Sequence, residues 1–134
     1  MGKSLIQTAN QSTQTVAVNS IISPGSVIRR FGCNCRLSGN AIEIEGQGYY
    51  EIDAVISLAP TATGAVTVAL YKDGVQVPGA IAYGSVSTAS NSTVLPIITT
   101  IRQGCNCEGA SSLTFVLTEG ASTVNNISVR VEKA

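Results

Sequence analysis

The sequence contains no histidine and no tryptophan, and only 12% of its residues are charged against 44% hydrophobic. Without His, the chain lacks the commonest general acid–base side chain and the commonest metal ligand, and a Ser-His-Asp triad cannot form. Eight basic residues balance eight acidic ones, so the basic excess that grips nucleic acid or anionic lipid is missing. No apolar run approaches the ~20 residues that span a bilayer, and no signal-peptide core opens the chain. No Gly-x-Ser-x-Gly elbow or Walker loop occurs, and Gly46-Gln47-Gly48 precedes a strand pattern instead of a helix. These absences exclude an enzyme, a bound cofactor, nucleic acid and membrane from the expectation.

What is present is β structure. Val, Ile, Thr and Ser dominate while Lys, Glu, Leu and Met are scarce, and β-branched side chains suit a pleated, half-buried surface. Ile42 and Ile44 alternate with Glu43 and Glu45. The longest alternation runs from Tyr49 to Leu58 and sets Tyr50, Ile52, Ala54, Ile56 and Leu58 on one face. Val66, Val68 and Leu70 repeat the pattern, as do Leu113, Phe115 and Leu117, and finally Ile127, Val129 and Val131. Further strands are expected over Thr15–Ile22, Ser26–Phe31, Ala80–Tyr83 and Thr93–Arg102, the last at a sheet edge or a bulge because Pro96 cannot donate to a ladder. Asp73-Gly74 marks a tight hairpin, and Pro78-Gly79 breaks the chain. About eight to ten short strands at 8–12-residue spacing predict an all-β antiparallel sandwich or jelly roll. No linker divides it: residues 15–134 read as a single domain, and polar residues 1–14 as an N-terminal arm suited to anchoring.

The face opposite the core on the longest strand combines Tyr49 and Val55 with Glu51 and Asp53. With Ala69, Tyr71 and Val116 also on nominally outer faces, the chain would expose more apolar surface than monomers carry in large patches, which points to self-association ahead of the alternative that the sheets curve and loops shield these positions. The pairs Glu43/Glu45 and Glu51/Asp53 could form acid–base dyads, but no further polar partner accompanies them, so solvated strand faces or interface salt bridges explain them better. Arg29, Arg30, Arg36 and Arg102 are too few for a nucleic-acid footprint, though enough to meet an acidic patch on a protein. Two sequons, at Asn91 and Asn126, would matter only in a secretory host.

All four cysteines occur in two copies of one motif, Gly32-Cys33-Asn34-Cys35 and Gly104-Cys105-Asn106-Cys107. In an extended strand, residues i and i+2 share a face, so each motif could present two thiols side by side. Three states remain open for Cys33, Cys35, Cys105 and Cys107: disulfides within or between chains, reduced packed thiols, or a four-thiolate metal site. The absence of Cys-x-x-Cys speaks against redox catalysis.

Gly48-Tyr49-Tyr50 opening the long strand, then Val66 to Tyr71 running into Asp73-Gly74, together with the final strand Ile127 to Val131, resembles the C1q/TNF-like jelly-roll family over roughly residues 40–134. The resemblance implies a homotrimer in which one sheet of each subunit lines the three-fold axis. Carried onto this chain, it puts Tyr49, Glu51, Asp53 and Val55 at the axis, with Arg130 pairing Glu51 or Asp53. Tyr71 and Val116 complete the expected interface. Short, low-charge members of the family resemble phage virion proteins, which implies a non-enzymatic capsid decoration or head-fibre protein assembled in the host cytoplasm, with capsid or other virion proteins as partners. The alternative is a receptor-binding tip or a bacterial or spore surface adhesin, meeting host glycan through loops such as Gly84 to Asn91. The sequence departs from the family in lacking preceding Gly-x-y repeats and an acidic calcium loop, and in carrying the two Cys-Asn-Cys motifs.

Overall fold

A computed structural model describes residues 4–104 and 109–134. The described chain forms twelve strands: β1 (Leu5–Asn10), β2 (Gln14–Val16), β3 (Ser20–Ile22), β4 (Ser26–Phe31), β5 (Cys35–Ser38), β6 (Ala41–Ile44), β7 (Gly48–Pro60), β8 (Gly64–Lys72), β9 (Val75–Val86), β10 (Thr93–Gln103), β11 (Ser111–Glu119) and β12 (Ser122–Lys133). They build two six-stranded sheets in which every pairing is antiparallel. Sheet 1 runs β10-β7-β12-β1-β4, with β2 beside β12; sheet 2 runs β5-β6-β11-β8-β9, with β3 beside β11. The all-β jelly-roll expectation holds.

Alternation decides which residues fill the space between the sheets. From sheet 1 come Ile52, Ile56, Leu58, Ile127 and Val129, and from sheet 2 Ile42, Ile44, Val68, Leu70 and Leu117, all essentially inaccessible. Fully burying each such side chain contributes roughly 1.5–3 kcal/mol. Tyr50 joins them with its ring inside and its hydroxyl 2.8 Å from the Gly46 carbonyl and 3.0 Å from that of Glu45. Burial, reinforced by nearby Cys35, pushes its phenol up to about 12. The Asp73-Gly74 hairpin joins β8 to β9 with φ of 53° and 82°, the double positive φ that this two-residue turn requires.

Three expectations change. Residues 5–10, expected within the polar arm, form β1, paired between β12 and β4, with Ile6 and Thr8 fully buried. The single strand expected over Thr15–Ile22 divides into β2 and β3, which serve different sheets, because Asn19 turns the chain at φ 69°. At Pro78-Gly79 the chain does not leave the sheet: β9 continues from Val75 to Val86 and absorbs the extra residues as a bulge between the Tyr71↔Gln76 and Ala69↔Ile81 pairs.

Candidate subunit interface

The outer face of sheet 1 is laid out by its register. One row reads Ile98, Asp53, Arg130, Gln7 and Arg29 across β10, β7, β12, β1 and β4. The row on one side reads Thr100, Glu51, Glu132, Leu5 and Phe31; the row on the other reads Pro96, Val55, Ser128, Ala9 and Ser26. Tyr49 lies at one end, opposite Arg102. This single face therefore brings together Tyr49, Glu51, Asp53, Val55 and Arg130.

Its centre is an ion cluster within one subunit. Arg130 donates from Nη2 to Asp53 Oδ2 at 2.5 Å and from Nη1 to Glu132 Oε1 at 2.6 Å. The hydrogen bond to Asp53, then that to Glu132, holds the Arg130 pKa above its usual value against partial burial. The side chains of Arg130 and Asp53 remain 36% and 41% exposed, so in an isolated subunit solvent screening limits the pair to about 1 kcal/mol or less. Of the two carboxylates expected to meet Arg130, Asp53 does so; Glu51 stays outside the cluster and stands directly opposite Glu132. Like charges so placed repel.

Beside the cluster runs an apolar stripe. Outward positions of edge strand β10 carry Val94, Pro96 and Ile98, of which Val94 is 56% and Ile98 77% exposed. Val55, 43% exposed, adjoins Pro96 from β7. Pro96 sits on an edge strand, as its missing donor requires. Of the edge or bulge expected at Pro96 the structure shows the edge, but sequence reasoning did not single out Val94 and Ile98. Their alternation with buried Leu95 and Ile97 is the signal that identifies them.

Tyr71 and Val116 do not belong to this face. They lie on β8 and β11 of sheet 2 and point outward on the opposite side of the sandwich. One flat contact cannot include all the expected interface residues, because strand alternation fixes a side chain's face but not its sheet.

The cysteine expectation also changes. Gly32, at φ 80°, turns the chain before Cys33, so Cys33 is exposed while Cys35 begins β5 and is buried. The i, i+2 rule fails because only one of the two thiols is in a strand. Among the described residues neither is bonded to another cysteine, and burial pushes the Cys35 thiol up to about 11, against the opposing pull of Arg30 and Lys133. Cys105 and Cys107 lie outside the described residues. Among the described residues, no group of three or more His, Cys, Asp or Glu side chains is arranged to hold a metal ion. Glu43 and Glu45 both meet Arg36, at 2.7 and 3.4 Å, an exposed salt-bridge cluster and not an acid–base dyad.

The resemblance to known structures is one of fold. Eiger TNF from S. frugiperda superposes with a TM-score of 0.72 at 8% identity, over 98% of this chain and 91% of that one. The fold is a C1q/TNF-like jelly roll. The globular domain of zebrafish complement 1qA matches this jelly roll at TM-score 0.69 and 9% identity, covering 96% of this chain and 94% of that one. The PRD1 vertex protein P5 matches at 0.63 and 13%, covering 97% and 96%. No family model and no curated protein matches the sequence.

Proposed function

We propose that the chain is a subunit of a homotrimer that assembles through the outer face of sheet 1 and serves as a non-enzymatic structural protein of a phage virion, decorating the capsid or heading a fibre. The observation that carries the assembly is the stripe of Val55, Val94 and Ile98, exposed side by side next to a self-contained ion cluster. An apolar stripe beside a charged, hydrogen-bonded cluster has the character of an interface core with a polar rim. The C1q/TNF-like fold supports three-fold closure, and the likeness to a vertex protein supports a particle. Virion proteins and, through the sheet edges and loops, a host surface are the partners this reading implies.

Sedimentation of the full chain tests the assembly directly. The wild type sediments as a trimer, and Ile98→Glu, which sets a carboxylate in the middle of the stripe, sediments as a monomer with an unchanged far-UV spectrum. A wild-type chain that is monomeric at micromolar concentration overturns the trimer, as does an Ile98→Glu chain that stays trimeric. The virion assignment is tested separately by imaging labelled protein mixed with particles. Density at three-fold or quasi-three-fold capsid positions supports decoration, whereas binding to host cells alone supports the second reading, a receptor-binding tip or adhesin. That second reading is favoured by a specific observation on sheet 2, the 73% exposure of Tyr83.

A further inference from the structure

The outer face of sheet 2 carries a trough, created by differences in side-chain size across neighbouring strands. On β8 the outward residues Thr67 and Ala69 are small and covered, at 6% and 1% exposure. Their cross-strand neighbours on β9 are Tyr83 and Ile81. Small residues in the middle and large ones beside them leave a depression of about 420 Å³, within the roughly 300–1,000 Å³ of small-ligand sites. Tyr83 forms one wall with most of its ring exposed to solvent. Tyr71 stands four positions further along β8, opposite the amide of Gln76.

The facing wall is polar and held in place. Glu119 Oε1 accepts a hydrogen bond from Thr67 Oγ1 at 3.0 Å, and Thr118 Oγ1 donates to the Thr67 carbonyl at 3.3 Å. Asn19 reaches the rim from the turn between β2 and β3, where its backbone N–H is tied to the Leu117 carbonyl at 2.6 Å. The lining thus offers two aromatic rings, two amides that both donate and accept, two threonine hydroxyls and one carboxylate. It contains no Lys or Arg.

We propose that this trough binds a neutral saccharide of one or two pyranose units. A pyranose has an apolar C–H face and a rim of hydroxyls that each donate and accept, matching an aromatic ring that faces an amide and a carboxylate, with a second amide on the aromatic side. An anionic sugar would meet Glu119 with no cation to offset it, and the open polar lining suits neither a lipid chain nor a bare apolar ligand. The site lies on the side of the sandwich away from the sheet 1 face, so it stays accessible whether or not the chain forms trimers. It does not rest on the assembly reading.

The test is titration of the isotope-labelled full chain, followed by NMR, with glucose, galactose, mannose, N-acetylglucosamine, lactose and maltose. N-acetylneuraminic acid supplies the anionic arm. At least one neutral sugar produces saturable shifts at Thr67, Tyr83 and Thr118, and Tyr83→Ala weakens its binding about tenfold. Glu119→Ala weakens it as well, while Ser38→Ala, at the exposed far edge of the same sheet, leaves it unchanged. Melting curves of each variant establish that the fold is intact, and Glu119→Ala serves as the test should Tyr83→Ala misfold. The proposal is overturned by an absence of saturable shifts with every neutral sugar. It is equally overturned by undiminished binding in both trough variants, or by tighter binding of N-acetylneuraminic acid than of any neutral sugar. Sedimentation of the same samples reports assembly independently, so failure of one reading is distinguishable from failure of the other.

Discussion

Thr8 lies on the inward side of β1, between Val129 of β12 and Val27 of β4, and is completely buried. Among the described residues, its Oγ1 is the one buried side-chain polar atom without a hydrogen-bond partner. A hydroxyl removed from water and left unpaired costs about 1–3 kcal/mol. Thr8→Val replaces that hydroxyl with a methyl and keeps the β-branch, so χ1 stiffness and strand preference are retained. The variant should therefore be more stable by about 1–3 kcal/mol. An unfolding entropy near 2 cal/mol/K per residue, over a chain of 134 residues, gives a rise in melting temperature of about 4–11 °C. Calorimetry of both proteins at one fixed concentration is the appropriate assay, because any self-association would make the melting temperature concentration-dependent. Thr8→Ser supplies the opposite arm: it keeps the hydroxyl, loses a buried methyl, and should melt lower by the equivalent of about 0.8 kcal/mol or more. A Thr8→Val protein that melts at or below the wild-type temperature would refute the reasoning, since the hydroxyl would then have to be satisfied by something such as an ordered internal water.

Tyr50→Phe removes the hydroxyl bound to the Glu45 and Gly46 carbonyls; Glu45 keeps a second donor in Asn34 Nδ2 at 2.6 Å, so Gly46 is left short. Urea unfolding should show a loss of about 1–2 kcal/mol, and an unchanged midpoint would deny that hydroxyl a structural role. For Cys35, burial favours the neutral thiol in the folded state, with a pKa near 11 against an ordinary value near 9. Its contribution to stability is fully present below pH 9 and is lost as pH rises toward 11. Melting temperature recorded against pH should fall less steeply over that window in Cys35→Ala than in the wild type, and equal slopes would sink the assignment.

The strands that could be read directly were those whose inward positions are uniformly apolar. Tyr50 to Leu58, Val66 to Leu70, Leu113 to Leu117 and Ile127 to Val131 each keep strict alternation, and each is buried as that pattern demands. β1 was hidden because its two buried inward residues are Ile6 and the polar Thr8, so the segment reads as a polar arm. Asn19 gave no warning of the break between β2 and β3, since its positive φ is a response to the two sheets it must serve. That Tyr71 and Val116 lie on a different sheet from Tyr49 and Val55 was hidden for the same reason. Alternation is a property of one strand, whereas the grouping of strands into sheets depends on pairing between residues as distant as Leu5 and Glu132. The trough was illegible for a related reason: it exists only because Thr67 and Ala69 lie beside Tyr83 and Ile81.

The back-to-back arrangement of the two sheets has a consequence for binding strength. Stacked sheets lie about 10 Å apart, so a closed ring of subunits formed through one outer face turns the other outward in every copy. A shallow trough that holds a single sugar weakly would then be displayed in triplicate at fixed spacing on one rigid body. Against a surface bearing many identical sugars, the second and third contacts become intramolecular, and linked sites of this kind can gain about 10²–10⁴ in apparent affinity without any new contact. Such a sandwich would thereby separate two quantities that a single binding face would have to trade against each other: the strength with which copies hold one another, and the strength with which each grips its ligand.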